Sequence, residues 1–400
     1  MITRPPVHLS EYGPAEDVDC QPDQAAALVA TGLVEVRPTT RIGCSTLVPH
    51  GKVGAVSAGD LHVHVAPKIG INRVLFLLEY APGRPSWHTP TVDVARDTDL
   101  LSAVATVFAR AASTATRTGL LQGYQEREES LPVFRGRLRE GDQLRLHHGR
   151  PLPVEVRYDE FTVDVAENQL LLAATTRLLR LPMLTQSARG SLNALRHRLV
   201  DVTELVRGVP APTWNSSRLN VRYEPALHLA ELIRAGASFE HRVGDLAVSG
   251  FVLDMPKIFE DFLTKALTEA LRGSGGEVVR QPPTWLDEEN AIRTYPDIVW
   301  LRGGQPLAVV DAKYKAEKYD SFPDADLYQA LAYATALDLP AAHLVYAQGN
   351  ETPREYRVRH AGVRITTHVL DLGLEPRALL DQVDGLARLL SNQVRVALGS

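Results

Sequence analysis

Apolar residues recur at helical spacing over 257–271, where Ile258, Phe259, Phe262, Leu263, Ala266, Leu267, Ala270 and Leu271 form one stripe. Glu260 falls at the margin of that stripe and Asp261 faces nearly away, so only Glu260 is expected to reach the protein body. Over 294–315 the period changes. Two apolar, β-branched runs flank a short turn containing Gly303 and Gly304, which predicts a β-hairpin. Alternation along a strand puts Asp311 and Lys313 on one face and Ala312 on the other, with Asp297 able to sit across the hairpin. The apolar runs are expected to bury, and the charges within them to stay out of the core.

Further elements follow from the same patterns. A short helix over 24–30 precedes a strand over 33–36, and runs over 53–56 and 61–65 flank Ser57-Ala-Gly-Asp60 as a second hairpin. Helical spacing returns over 99–121, a polar stretch covers 123–130, and helices are expected over 168–181, 192–206 and 225–235. Beyond residue 250 the order is helix, strand at 277–280, hairpin, helix at 326–337, strands at 343–347 and 365–370, and a last helix from 376 to about 398. That order predicts a mixed sheet flanked by helices. The fold class is α/β in the mixed α+β sense. A β-rich segment over 1–155, a helical region over 156–250 and a mixed-sheet domain over 251–400 are the expected divisions.

Composition narrows the class. A chain of 400 residues accommodates two or three domains, and 44% hydrophobic with 23% charged residues fits a soluble globular protein. Two cysteines, Cys20 and Cys44, provide neither a disulfide framework nor a zinc pattern, which fits a reducing compartment. The N-terminus lacks the apolar core of a secretion signal and no run approaches membrane-spanning length, so a cytoplasmic protein without a membrane partner is expected. No Gly-x-x-x-x-Gly-Lys-Ser/Thr loop occurs, so the chain is expected to bind no nucleotide itself. A net charge of −5 does not mark a nucleic-acid binder, although a local patch is what such a ligand feels. Arg135, Arg137, Arg139, Arg145 and Arg150 outnumber Glu140 and Asp142, yet alone they read as solvated surface. His62 and His64 share a strand face without a third ligand nearby and read as outward polar residues.

The chemistry concentrates in the hairpin. Two carboxylates beside a lysine form a hard-oxygen site suited to Mg²⁺ or Mn²⁺, with an ammonium to steady water or phosphate charge. Metal-assisted phosphodiester hydrolysis is the reaction this suggests. Glu260, Pro296-Asp297, Asp311-Ala-Lys313 and Gln329-Ala-Leu-Ala-Tyr333 stand in order, and Gln329 and Tyr333 share a helical face. This set resembles the PD-(D/E)xK nuclease core in its RecB-like form, with Asp311 in place of the commoner glutamate. The wider sequence resembles the McrC family of nuclease subunits in modification-dependent restriction. The similarity rests on Asp254-Met-Pro-Lys-Ile-Phe-Glu260, Asp326-Leu-Tyr-Gln329, Gly-Asp60-Leu-His-Val-His-Val-Ala-Pro67-Lys68-Ile69, the stretch from Gly123 to Arg137, and Tyr158 to Asn168.

The resemblance implies a C-terminal PD-(D/E)xK fold acting on double-stranded, methylated DNA with an McrB-like AAA+ GTPase ring that the chain stimulates. By the family pattern Asp297, Asp311, the Ala312 carbonyl and Glu260 would hold the metal and Lys313 would orient the attacking water. Gln329 and Tyr333 would support the site or touch DNA. The segment 1–155 would dock on the GTPase, and the 135–150 arginines would serve DNA or the ring. Lys315 and Lys318 read as solvated or as phosphate contacts. The competing readings are a non-cleaving docking subunit with a vestigial nuclease fold, and a stand-alone RecB-like nuclease.

Overall fold

A computed structural model describes residues 4–80, 100–148, 150–181, 184–206, 209–236, 241–243, 246–314, 324–347 and 354–399; Lys315 and Lys318 lie outside them. The chain forms two compact units, Met1–Ala103 with Gly236–Ser400, and Val104–Ala235.

In the first unit a six-stranded sheet runs in the order Glu277–Arg280, Ile298–Arg302, Gln305–Lys313, Ala341–Ala347, Arg364–Leu370, Glu355–Arg357. The three strands starting at Gln305, Ala341 and Arg364 are parallel, and the flanking strands are antiparallel. Val309 and Val310 face opposite sides and are both buried, so both faces of the sheet are covered. On one face the helix Asp324–Ala336 inserts Ala330, Tyr333 and Ala334 against Val309, Leu344 and Tyr346.

The expected hairpin forms between Ile298–Arg302 and Gln305–Lys313. Gly303 (φ 58°) and Gly304 (φ 82°) both take left-handed conformations, as a two-residue turn matched to strand twist requires. The helix Met255–Leu271 buries the expected stripe, with Phe259, Phe262, Leu263 and Leu267 fully enclosed. Each such side chain contributes about 1.5–3 kcal/mol of transfer free energy. Its start is set by Asp254, whose Oδ1 accepts from the Lys257 amide at 3.1 Å, and by Pro256 in the first turn.

The same unit holds a five-stranded sheet in the order Val7–Ser10, Leu61–Ala66, Lys52–Ala58, Leu246–Asp254, His241–Val243. Beside it Glu16–Asp19, Cys44–Pro49 and Val34–Pro38 form a three-stranded sheet, and the helix Pro22–Thr31 closes their shared core. The strand Leu246–Asp254 pairs with Lys52–Ala58 and runs directly into the helix Met255–Leu271. Gly54 (φ 137°) permits that pairing, since a Cβ there would lie 1.9 Å from the Phe251 carbonyl oxygen.

The second unit carries a three-stranded sheet of Gly123–Leu131, Val154–Thr162 and Arg137–Leu138, with the helices Ala166–Leu179 and Gln186–Arg198. The stretch read as merely polar, 123–130, is thus a strand. Its pairing is supported by charges rather than by apolar alternation: Arg157 meets Glu128, and Arg127 meets Glu160 at 3.1 Å. The helix expected over 192–206 occupies Gln186–Arg198 instead. Asp164 accepts from the Thr203 amide at 2.8 Å and from its hydroxyl at 2.6 Å, which holds the chain beyond the helix in another path. Among the described residues no helix is long and apolar enough to cross a membrane.

Candidate functional site

Asp254, Lys257, Glu260, Arg280, Gln281, Tyr295, Asp297, Asp311, Ala312, Lys313, Gln329 and Tyr333 line one cavity of about 410 Å³. Glu260, Asp297, Asp311, Lys313, Gln329 and Tyr333 are therefore at one place. Asp297 precedes the strand Ile298–Arg302, and the pairing of Ile298 with Val310 brings it opposite Asp311. One oxygen of Asp297 accepts from the Ala312 amide at 2.8 Å.

Asp311 is only 2% exposed, which corrects the expectation that charges in this strand stay out of the core. Its Oδ2 lies 2.5 Å from Lys313 Nζ, off hydrogen-bonding alignment, and accepts no hydrogen bond. Burial, and then the charge of Asp311, raise the Asp297 carboxyl far above the ordinary carboxylate range against the pull of the Ala312 amide.

Lys313 is held from the other side as well. Its ammonium donates to Gln329 Oε1 at 2.7 Å, Gln329 Nε2 donates to the Tyr333 hydroxyl at 2.7 Å, and that hydroxyl donates to the Tyr295 carbonyl at 3.1 Å. Burial, followed by the charges of Asp311 and Asp297, pushes the Tyr333 phenol up to about 12. Tyr333 is consequently a neutral donor at the end of a chain of three bonds that fixes the lysine.

Glu260 stands apart from the aspartate pair. Its Oε1 accepts from Arg280 Nε at 3.2 Å, Arg280 Nη2 at 3.1 Å and Gln281 Nε2 at 2.9 Å. Asp261, expected to face away, is half-buried and ion-paired with Arg280. The reason is the strand Glu277–Arg280, which lies along the helix beyond its apolar stripe. Burial raises the carboxyls of Glu260 and Asp261, and Arg280 opposes both shifts.

Sequence reasoning missed Arg280 and Gln281; the available signal was a charged residue closing an apolar strand before Asp297. It also missed a partly buried cluster at Tyr314, the residue after Lys313. Lys68 Nζ donates to the carbonyls of Tyr314 at 3.4 Å and Ala347 at 3.3 Å, and lies 4.0 Å from the Tyr314 ring centre. Glu11 accepts from the Lys68 amide at 3.0 Å and the Tyr314 hydroxyl at 3.2 Å.

Two other sequence features do not join the cavity. His62 Nδ1 lies 2.8 Å from the Ser57 hydroxyl, and His64 stacks on His8. In the 135–150 segment Arg139 pairs with Glu128, Asp142 and Glu155, Arg145 pairs with Asp142, and Arg135 stacks on Tyr158. The charges of Arg139 and Arg145 are locally balanced.

The fold matches a chain in a structure described as the refined half-complex from a tetradecameric assembly of Thermococcus gammatolerans McrB AAA+ hexamers with bound McrC. That match has 18% identity and a TM-score of 0.60, and covers 96% of this chain and 100% of the other. A second match, to the cryo-EM structure of the Thermococcus gammatolerans McrBC complex, has 20% identity and a TM-score of 0.44, covering 67% and 88% of the two chains. No curated protein matched. A family model for the McrBC 5-methylcytosine restriction system component matches residues 47–347, well over half of the sequence. The chain belongs to the McrBC 5-methylcytosine restriction system component family.

Proposed function

We propose that this chain is the DNA endonuclease subunit of a cytoplasmic, GTP-driven restriction complex that cuts methylated double-stranded DNA by Mg²⁺-assisted hydrolysis. The carrying observation is the pair of carboxylates, buried Asp311 and half-buried Asp297, beside an ammonium that three successive hydrogen bonds hold in place.

The donor set fits a hard divalent cation. Asp311 Oδ2 is buried without a hydrogen bond, and Asp297 is driven toward its protonated form by burial and then by the charge of Asp311, which a cation would offset. Among the described residues no three His, Cys, Asp or Glu side chains form a cage. Mg²⁺ suits two carboxylates and a carbonyl, because it retains several waters; Mn²⁺ shares its preference for oxygen. Asp297, Asp311 and the Ala312 carbonyl would hold it, with Glu260 as a further ligand across the cavity. When bound, such an ion polarises the scissile phosphate and makes water more acidic.

The remaining work belongs to the chain. Lys313 orients the attacking water and offsets charge that develops on the phosphate, while Gln329 and Tyr333 keep its ammonium in position. Family membership supports an McrB-like AAA+ GTPase ring as the partner that this chain docks on and stimulates, with the segment 1–155 as the docking part. No nucleotide need bind this chain.

The test uses the chain with its cognate GTPase, GTP, Mg²⁺ and a methylated duplex. Asp297→Ala and Asp311→Ala are expected to abolish cleavage while complex assembly and stimulated GTP hydrolysis persist. Cutting by either variant at the wild-type rate would refute the assigned site. GTPase stimulation without cleavage by the wild type would favour a docking role, and cleavage without the partner a stand-alone nuclease.

A further inference from the structure

Glu260 lines the same cavity as Asp297 and Asp311, yet its carboxylate is turned toward Arg280 and Gln281. Three donors converge on the single oxygen Oε1. Arg280 and Gln281 are in turn fixed to the catalytic hairpin. Arg280 pairs in register with Ile298, and the Gln281 amide donates to the Asp297 carbonyl at 2.9 Å. The grip on Glu260 and the position of Asp297 therefore share one piece of backbone.

The Arg280 side chain is 41% exposed, whereas that of Glu260 is 15% exposed. The guanidinium is thus the member of the pair open to a ligand entering the cavity. Its planar fork binds a phosphate by the same two-donor geometry as a carboxylate, so one acceptor can replace the other without losing a hydrogen bond. Asp261 stays ion-paired with the same guanidinium, which keeps Arg280 in place when Glu260 leaves.

We propose that Arg280 is an exchange residue: it holds Glu260 away from the Asp297–Asp311 pair until a DNA backbone phosphate displaces that carboxylate, which then turns to the cation site. This rests on the nuclease reading above. Glu260 and both aspartates line that one cavity, so the carboxylate need not leave it to reach the cation site. Release would bring a third negative charge to the aspartate pair, which is favourable only with a cation present. Full cation coordination is thereby tied to DNA occupancy, and Arg280 acts on the cation as a positioning residue through Glu260.

The test is a double-mutant cycle read by calorimetric titration of the full-length chain with Mn²⁺, without DNA. Arg280→Gln is expected to bind Mn²⁺ about tenfold more tightly than wild type, the scale seen when a ligand's supporting partner changes. In the Glu260→Gln background the same substitution is expected to gain less than about threefold, the part that simple removal of a screened positive charge supplies. An equal gain in both backgrounds, or no gain in either, overturns the exchange. The converse arm measures duplex DNA binding in Ca²⁺: Glu260→Gln tightens binding only while Arg280 is present, and an equal gain in Arg280→Gln overturns the proposal. Thermal unfolding of each variant establishes that it is folded. Absence of any Mn²⁺ binding sensitive to Asp311→Asn would remove the nuclease reading and the exchange together, whereas an Asp311-dependent site with an additive cycle removes the exchange alone.

Discussion

The ionisation of Asp297 decides the chemistry of the cavity. Two like charges about 4 Å apart repel by about 4 kcal/mol at an effective dielectric near 20. A hydrogen bond to a charged group returns about 1.5–3 kcal/mol, so the Ala312 amide does not offset its neighbour, and Lys313 sits on Asp311. Burial and repulsion win, and Asp297 is driven toward its protonated form. Tyr333 makes a separate prediction, because its hydroxyl is the joint between Gln329 and the Tyr295 carbonyl. Tyr333→Phe should lower kcat for DNA cleavage about tenfold at nearly unchanged KM and melting temperature, as loss of a supporting hydrogen bond does. An unchanged kcat would remove the support role. Asp297, Asp311, Lys313, Gln329 and Tyr333 were legible because strand alternation and helical spacing fix which residues share a face. The burial of Asp311 was not, because the helix that covers it comes from further along the chain.

At the level of elements, two neighbouring parallel strands carry a pH-sensitive contact. His343 Nδ1 lies 3.0 Å from His368 Nε2 between Ala341–Ala347 and Arg364–Leu370. Burial, and then the charge of His368, lowers His343 to about 3, and burial lowers His368 to about 4. With folded values below the unfolded value near 6.5, both rings fold neutral. Their contribution is fully present above pH 6.5 and is lost as pH falls toward 4 and then 3. Denaturant unfolding should therefore show the His368→Asn variant losing about 3 kcal/mol less than wild type between pH 7 and pH 4, from the His368 shift alone. Parallel losses in the two proteins would contradict this. Most elements of this sheet could be read from apolar period. The strand Gly123–Leu131 could not, since cross-strand ion pairs replace the alternation on which that reading depends.

For the whole molecule, the first unit joins residues far apart in sequence: Lys52–Ala58 pairs with Leu246–Asp254, and Lys68 reaches the carbonyls of Tyr314 and Ala347. No reading in chain order shows such pairing, because each partner strand is equally apolar alone. Lys68 is pushed down to about 8 by burial, opposed by Glu11, and burial raises Glu11, which is 5% exposed. Removing one member strands the other. Lys68→Met should cost about 3–5 kcal/mol in chemical denaturation, and adding Glu11→Gln should recover much of it. A loss below about 1 kcal/mol, the range of exposed ion pairs, would show that the cluster is not buried as described.

All of these scales meet at the pair of aspartates. The most direct measurement is an anomalous difference map from crystals of the full-length chain soaked in Mn²⁺. The account predicts a peak bridging Asp297 and Asp311 that disappears in Asp311→Asn. A peak elsewhere, or none between these two carboxylates, would contradict it.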